Sequence, residues 1–117
     1  RLGQGKFRRA VERLWNDSCS VSGSSMRETL RASHIKPWKP SNDSERLDGE
    51  NGLMLTADLD ALFDKGLISF ADDGEMLVAD RIAKSDRKLF RLPRPLRKRP
   101  TRGQQVYLAD HRRRWGF

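Results

Sequence analysis

The chain has 117 residues, 36% hydrophobic and 34% charged, with a mean hydropathy of −0.79. That length bounds it to one domain, 1–117, with a modest core, and it carries neither an apolar run able to span a membrane nor a signal-peptide pattern. The single cysteine, Cys19, excludes an internal disulfide and a cysteine-rich zinc ribbon, and it suits a reducing cytoplasm. The first residue is Arg1 rather than methionine, which reads as a fragment with an upstream portion missing.

The net charge of +8 is unevenly placed. Residues 81–102 hold ten Lys/Arg against one acid, Asp86, or +9, whereas residues 1–80 hold eleven basic against fourteen acidic residues, or −3. A polyanionic partner is the natural reading of the basic segment, because Lys and Arg neutralise phosphates without reading sequence.

In chain order, residues 5–15 predict an amphipathic helix, with Phe7, Ala10, Val11, Leu14 and Trp15 at helical spacing. Residues 18–22 alternate and predict a short strand, in which Cys19 is a small buried apolar residue. Residues 30–35 predict a second extended stretch that leads into His34, and Pro37 and Pro40 forbid a helix directly after it. Residues 41–47 predict a helical turn capped by Ser41 or Asn42. A turn over 48–52 and a short strand over 53–55 follow. Thr56 is the expected N-cap of a helix over 57–64, Asp58 suits its first turn and Gly66 stops it. Asp72-Asp73-Gly74, between apolar residues 67–70 and 76–78, predicts a hairpin. Residues 81–102 predict irregular chain after a short helix near 80–85. Residues 104–115 predict a closing helix, with Val106, Tyr107, Leu108 and Trp115 packing inward and His111 exposed.

One set of residues could serve one reaction. Hydrolysis of a phosphodiester needs a base for water, positive charge at the phosphorus and leaving oxygen, and a scaffold that aligns them. His34 is the candidate base, since imidazole titrates near neutral pH. Asp60 and Asp64 stand at i and i+4, so their carboxylates can share one face and one hard cation, Mg²⁺ or Mn²⁺. Asn51 is the candidate organiser, an amide able to tie loop backbone together and orient a nearby imidazole. Taken singly, each has a plain structural explanation: a loop histidine, a turn, a solvated helix face. Their order and spacing carry the reading.

Ala32-Ser33-His34-Ile35-Lys36-Pro37-Trp38, Asn51-Gly52-Leu53-Met54-Leu55 and Asp60-Ala61-Leu62-Phe63-Asp64 resemble the three motifs of the HNH (ββα-metal, His-Me finger) nucleases. Gln4-Gly5-Lys6-Phe7-Arg8 and Cys19-Ser20-Val21-Ser22-Gly23 are similar to the lead-in and first-strand motifs of bacterial restriction-type members. The chain departs from the pattern at Asp60, where the third motif usually opens with histidine, and at Ser33, where many members carry a metal ligand. The resemblance implies an α+β fold with a ββα core over about 18–66, flanking helices and an extra hairpin. It further implies a metal-dependent DNA endonuclease of bacterial restriction or defence type, leaving 5′-phosphate and 3′-hydroxyl ends, cytoplasmic, with target choice in an upstream recognition domain. A homodimer would suit double-strand cutting. Lys36, Lys39, Arg94, Arg97, Lys98, Arg99, Arg112 and Arg113 are the expected backbone contacts to DNA, which give affinity with little sequence preference. The alternatives are an inactive nucleic-acid-binding module, favoured by Ser33 and Asp60, and a toxin-type DNase.

Overall fold

The computed structural model describes residues 3–117. Its regular elements are α1 (Gln4–Leu14), β1 (Leu30–His34), α2 (Asp43–Leu47), β2 (Gly52–Thr56), α3 (Ala57–Asp64), β3 (Ile68–Phe70), β4 (Met76–Val78), α4 (Lys84–Leu89) and α5 (Arg102–Trp115). Single 3₁₀ turns at Arg27–Thr29 and Gly49–Asn51 lead into β1 and β2.

β1 and β2 pair antiparallel with His34 opposite Gly52 and Leu30 opposite Thr56. Leu53, Met54 and Leu55 are all buried, so β2 reads as a continuous apolar run with cover on both faces. β2 passes straight into α3 at Thr56, whose backbone takes the extended N-cap conformation while its hydroxyl donates to Asp58 at 2.7 Å. The result is a β-β-α unit with a second hairpin, β3–β4, beyond it. Gly66 stands at φ 69°, a left-handed conformation that ends α3, and Trp115 lies so close that no Cβ would fit there.

Phe7 and Val11 of α1 and its C-cap Trp15 are buried in one core with β2, Leu59 and Phe63 of α3, Phe70 of β3 and Leu108 of α5. Gly52 permits the approach of α1, because a Cβ at that position would stand 2.7 Å from the Phe7 ring. Asn42 caps α2 through a capping box with Glu45, and Thr101 caps α5 through one with Gln104.

Several expectations need correction. Residues 18–22 form turns rather than a strand, because the buried Cys19 Sγ accepts the N–H groups of Ser22 (3.3 Å) and Val21 (3.5 Å) and curls the chain around itself. The short helix expected near 80–85 lies at Lys84–Leu89, and α5 starts at Arg102 because Thr101 is its cap. Val106 is 70% exposed rather than packed, and Trp115 is half in solvent although it covers Gly66. His111 is buried, not exposed.

Candidate active site

His34 ends β1, where the chain leaves the sheet and must turn at Pro37. Its ring lies flat on Phe7, with centroids 3.6 Å apart and planes 5° from parallel. Its Nε2 is 3.0 Å from the Arg46 carbonyl at the end of α2. A carbonyl only accepts, so Nε2 carries the proton and Nδ1 carries the lone pair in the neutral ring. Stacking fixes the ring plane and the carbonyl fixes the tautomer.

Asn51 holds the parts that hold His34. It is fully buried, its Oδ1 accepts the Lys36 N–H at 2.8 Å, and its Nδ2 donates to the Glu45 carbonyl at 3.0 Å. Its own carbonyl accepts the Ile35 N–H at 3.0 Å. These partners are all backbone groups of the surrounding chain. Asn51 joins the exit of β1 to the end of α2, one residue from the carbonyl that His34 meets. Lys36 completes the clamp with a 2.8 Å ion pair to Glu45, and its ammonium holds that carboxyl below the usual carboxylate range. Arg46 seals the loop from outside: its guanidinium stands 3.6 Å over the Trp38 ring and donates to the Trp38 carbonyl at 2.9 Å.

His34, Asp60 and Asp64 line one open depression of about 400 Å³, with Gln4, Ser33, Trp38 and Lys39 on its walls. Asp60 is half-buried, and Asp64 is largely exposed with Lys65 4.0 Å away. Ser33 is buried in the sheet. Among the described residues no group of three or more His, Cys, Asp or Glu could hold a metal ion, so the three side chains share a depression without closing into a cage. Two hard oxygen donors at an open rim do fit Mg²⁺ or Mn²⁺, because such an ion keeps several waters and takes only one or two carboxylates.

The expected DNA contacts divide by location. Lys39 lines the His34 depression, and Arg94 lines a different one between α4 and the start of α3. Arg97 donates to Ser18 Oγ (3.0 Å) and the Cys19 carbonyl (3.3 Å), and Lys98 contacts the Leu14 carbonyl and stands over Trp15. Arg112 donates to the Phe70 carbonyl at 2.8 Å, and Arg113 lies 3.7 Å from Asp110. Arg99 is exposed. Much of this basic charge thus also serves to close chain ends and turns.

Sequence reasoning missed two groups at the site, the Phe7 ring and the Arg46 carbonyl. Phe7 stands within Gln4-Gly5-Lys6-Phe7-Arg8, where its helical spacing marks it only as core. A backbone carbonyl leaves no mark in a sequence.

No curated protein matches the chain significantly. Residues 19–71 match the family model described as HNH endonuclease, a span that covers β1, β2, α3 and β3. The stretch similar to that family is the one that carries the β-β-α order and the depression His34 shares with Asp60 and Asp64.

Proposed function

We propose that this chain is a DNA endonuclease domain that hydrolyses phosphodiester bonds, with His34 as general base and a divalent cation held by Asp60 and Asp64. One observation carries the reading: a histidine fixed in plane and tautomer opens into the same depression as two carboxylates. Held in plane by Phe7 and at Nε2 by the Arg46 carbonyl, the His34 imidazole accepts the proton of the attacking water. Asn51 keeps the Arg46 carbonyl and the β1 exit in place while the ring gains charge. Lys39 lines the same depression, which supports a contact between its ammonium and a phosphate of the bound strand. A bound cation would supply charge stabilisation at the leaving oxygen. The weak two-carboxylate set predicts much tighter metal binding when DNA is present, and equal affinity by calorimetry with and without an uncleavable duplex would contradict it.

The test is plasmid cleavage with Mg²⁺, Mn²⁺, Ni²⁺ or EDTA, beside Asp60→Asn and Asp64→Asn. Nicking that needs a hard cation and both carboxylates, with 5′-phosphate and 3′-hydroxyl ends, is the expected result. Ser33 in the sheet and the small donor set favour a second reading, a module that grips nucleic acid without cutting it. Salt-sensitive binding without cleavage under any cation would select that reading. A bacterial restriction or defence role fits the sequence motifs and belongs to this proposal.

A further inference from the structure

Three of the large exposed hydrophobic side chains, Met26, Leu89 and Phe90, border one depression. Leu89 is 76% and Met26 61% exposed, so the rim presents an apolar patch rather than one isolated side chain. The same depression is lined by Arg91, Arg94 and four hydroxyl side chains, and Asp58, at its edge, accepts from Thr56. Arg94 braces it from behind: its guanidinium donates to the Arg91 carbonyl (2.9 Å) and the Phe90 carbonyl (3.1 Å), across the turn where Arg91 stands at φ 57°. Arg91 itself is exposed.

The position matters as much as the composition. Ala57, at the start of α3, lines this depression, and Asp64, seven residues on, lines the one that holds His34. Residues seven apart lie on nearly one helix face, separated by about 10 Å along the axis. That is about three nucleotides at the duplex rise of about 3.4 Å each, and fewer in an extended single strand. The exposed face of α3 therefore links the two depressions.

We propose that this depression is a nucleotide-binding station for the strand that passes His34, in which Phe90 and Leu89 carry an unpaired base and Arg91 takes an adjoining phosphate. The proposal rests on the reading of the His34 site as a nucleic-acid site. An apolar rim beside a guanidinium matches a ligand with a flat face and a negative charge. A base inside a duplex has both faces covered by its neighbours, so the occupant is single-stranded or locally melted nucleic acid.

The experiment uses the His34→Ala chain in EDTA, which binds without cutting. Anisotropy of a short labelled single strand and of the blunt duplex of the same sequence is measured for that background and for added Phe90→Ala, Leu89→Ala or Arg91→Gln. Phe90→Ala and Leu89→Ala should each weaken single-strand binding about five- to tenfold and leave the duplex within about twofold. Arg91→Gln should weaken both and reduce the salt slope by about one. Equal losses on both ligands, or no loss from either apolar variant, would overturn the proposal, as would a rim that instead binds a protein and no nucleic acid. If Phe90→Ala melts early, the highly exposed Leu89→Ala decides. If these results hold while the wild-type chain never cleaves, the station stands and only the nuclease reading fails.

Discussion

The two histidines of this chain are held in nearly the same way. His34 lies flat on Phe7 with Nε2 3.0 Å from the Arg46 carbonyl, and His111 lies flat on Phe63, 3.9 Å between centroids, with Nε2 2.9 Å from the Phe63 carbonyl. They differ in burial. His111 Nδ1 meets the Ser69 hydroxyl at 2.8 Å inside the core, and the residue is 2% exposed. His34 is half-buried and opens on a depression shared with two carboxylates. An aromatic face and a backbone carbonyl thus make an imidazole rigid, and access to solvent and to acidic neighbours decides whether rigidity serves packing or chemistry.

Breaking each histidine should separate these roles. The largest effect is expected from His34→Ala, which should lower plasmid nicking by about 10²- to 10⁴-fold while costing about 1 kcal/mol of stability through the lost stack. His111→Ala should do the reverse. It removes a buried ring and strands the Ser69 hydroxyl and Phe63 carbonyl, a loss of about 3 kcal/mol by denaturant unfolding, with activity per folded molecule near wild type.

Asn51→Ala tests the support rather than the base. Removing a fully buried amide that makes bonds of 2.8 and 3.0 Å should cost about 2–3 kcal/mol. Nicking by the folded fraction should also fall, because the carbonyl that fixes the His34 tautomer is then free to drift. A loss of stability with unchanged nicking would show that Asn51 only holds the fold. Phe7→Leu keeps the core filled but removes the flat face beneath His34. A loss of about 1 kcal/mol and a several-fold slower rate are expected.

The smallest effect lies in the pH dependence of stability. Burial is the main cause that pushes the His111 imidazole below its ordinary value of 6.5, opposed by the Phe63 carbonyl and the charges of Asp110 and Asp64, and aided by Arg112. The unfolded chain therefore takes up that proton more readily than the folded one. Stability is fully present above about pH 6.5 and falls as pH drops towards the folded value. Melting temperature should decline between about pH 7 and about pH 5, and His111→Gln should flatten that part of the curve.

The elements set by local chemistry were legible in the sequence. The cap of α2 (narrowed to Ser41 or Asn42, and taken by Asn42), Thr56 and Gly66 at the ends of α3, and Asp72-Asp73-Gly74 in the second hairpin each act within a few residues. What escaped depends on distant partners. The Cys19 thiol turns residues 18–22 away from a strand, and Phe63 and Ser69 draw His111 into the core from 48 and 42 residues away. At the site, the motifs pointed to His34, Asn51, Asp60 and Asp64 as a group. The structure places three of them around one depression and the fourth behind it, in the loop that carries the Arg46 carbonyl. The ring under His34 and the carbonyl beside it depend on how α1 and α2 dock, which periodicity does not encode.

The most direct test of the account is the nicking rate of supercoiled plasmid with Mg²⁺ for the wild-type chain beside His34→Ala, with folding of both checked by thermal melting. Nicking by the wild type, lost in a folded His34→Ala, is the predicted result. Undiminished nicking by a folded His34→Ala would contradict it.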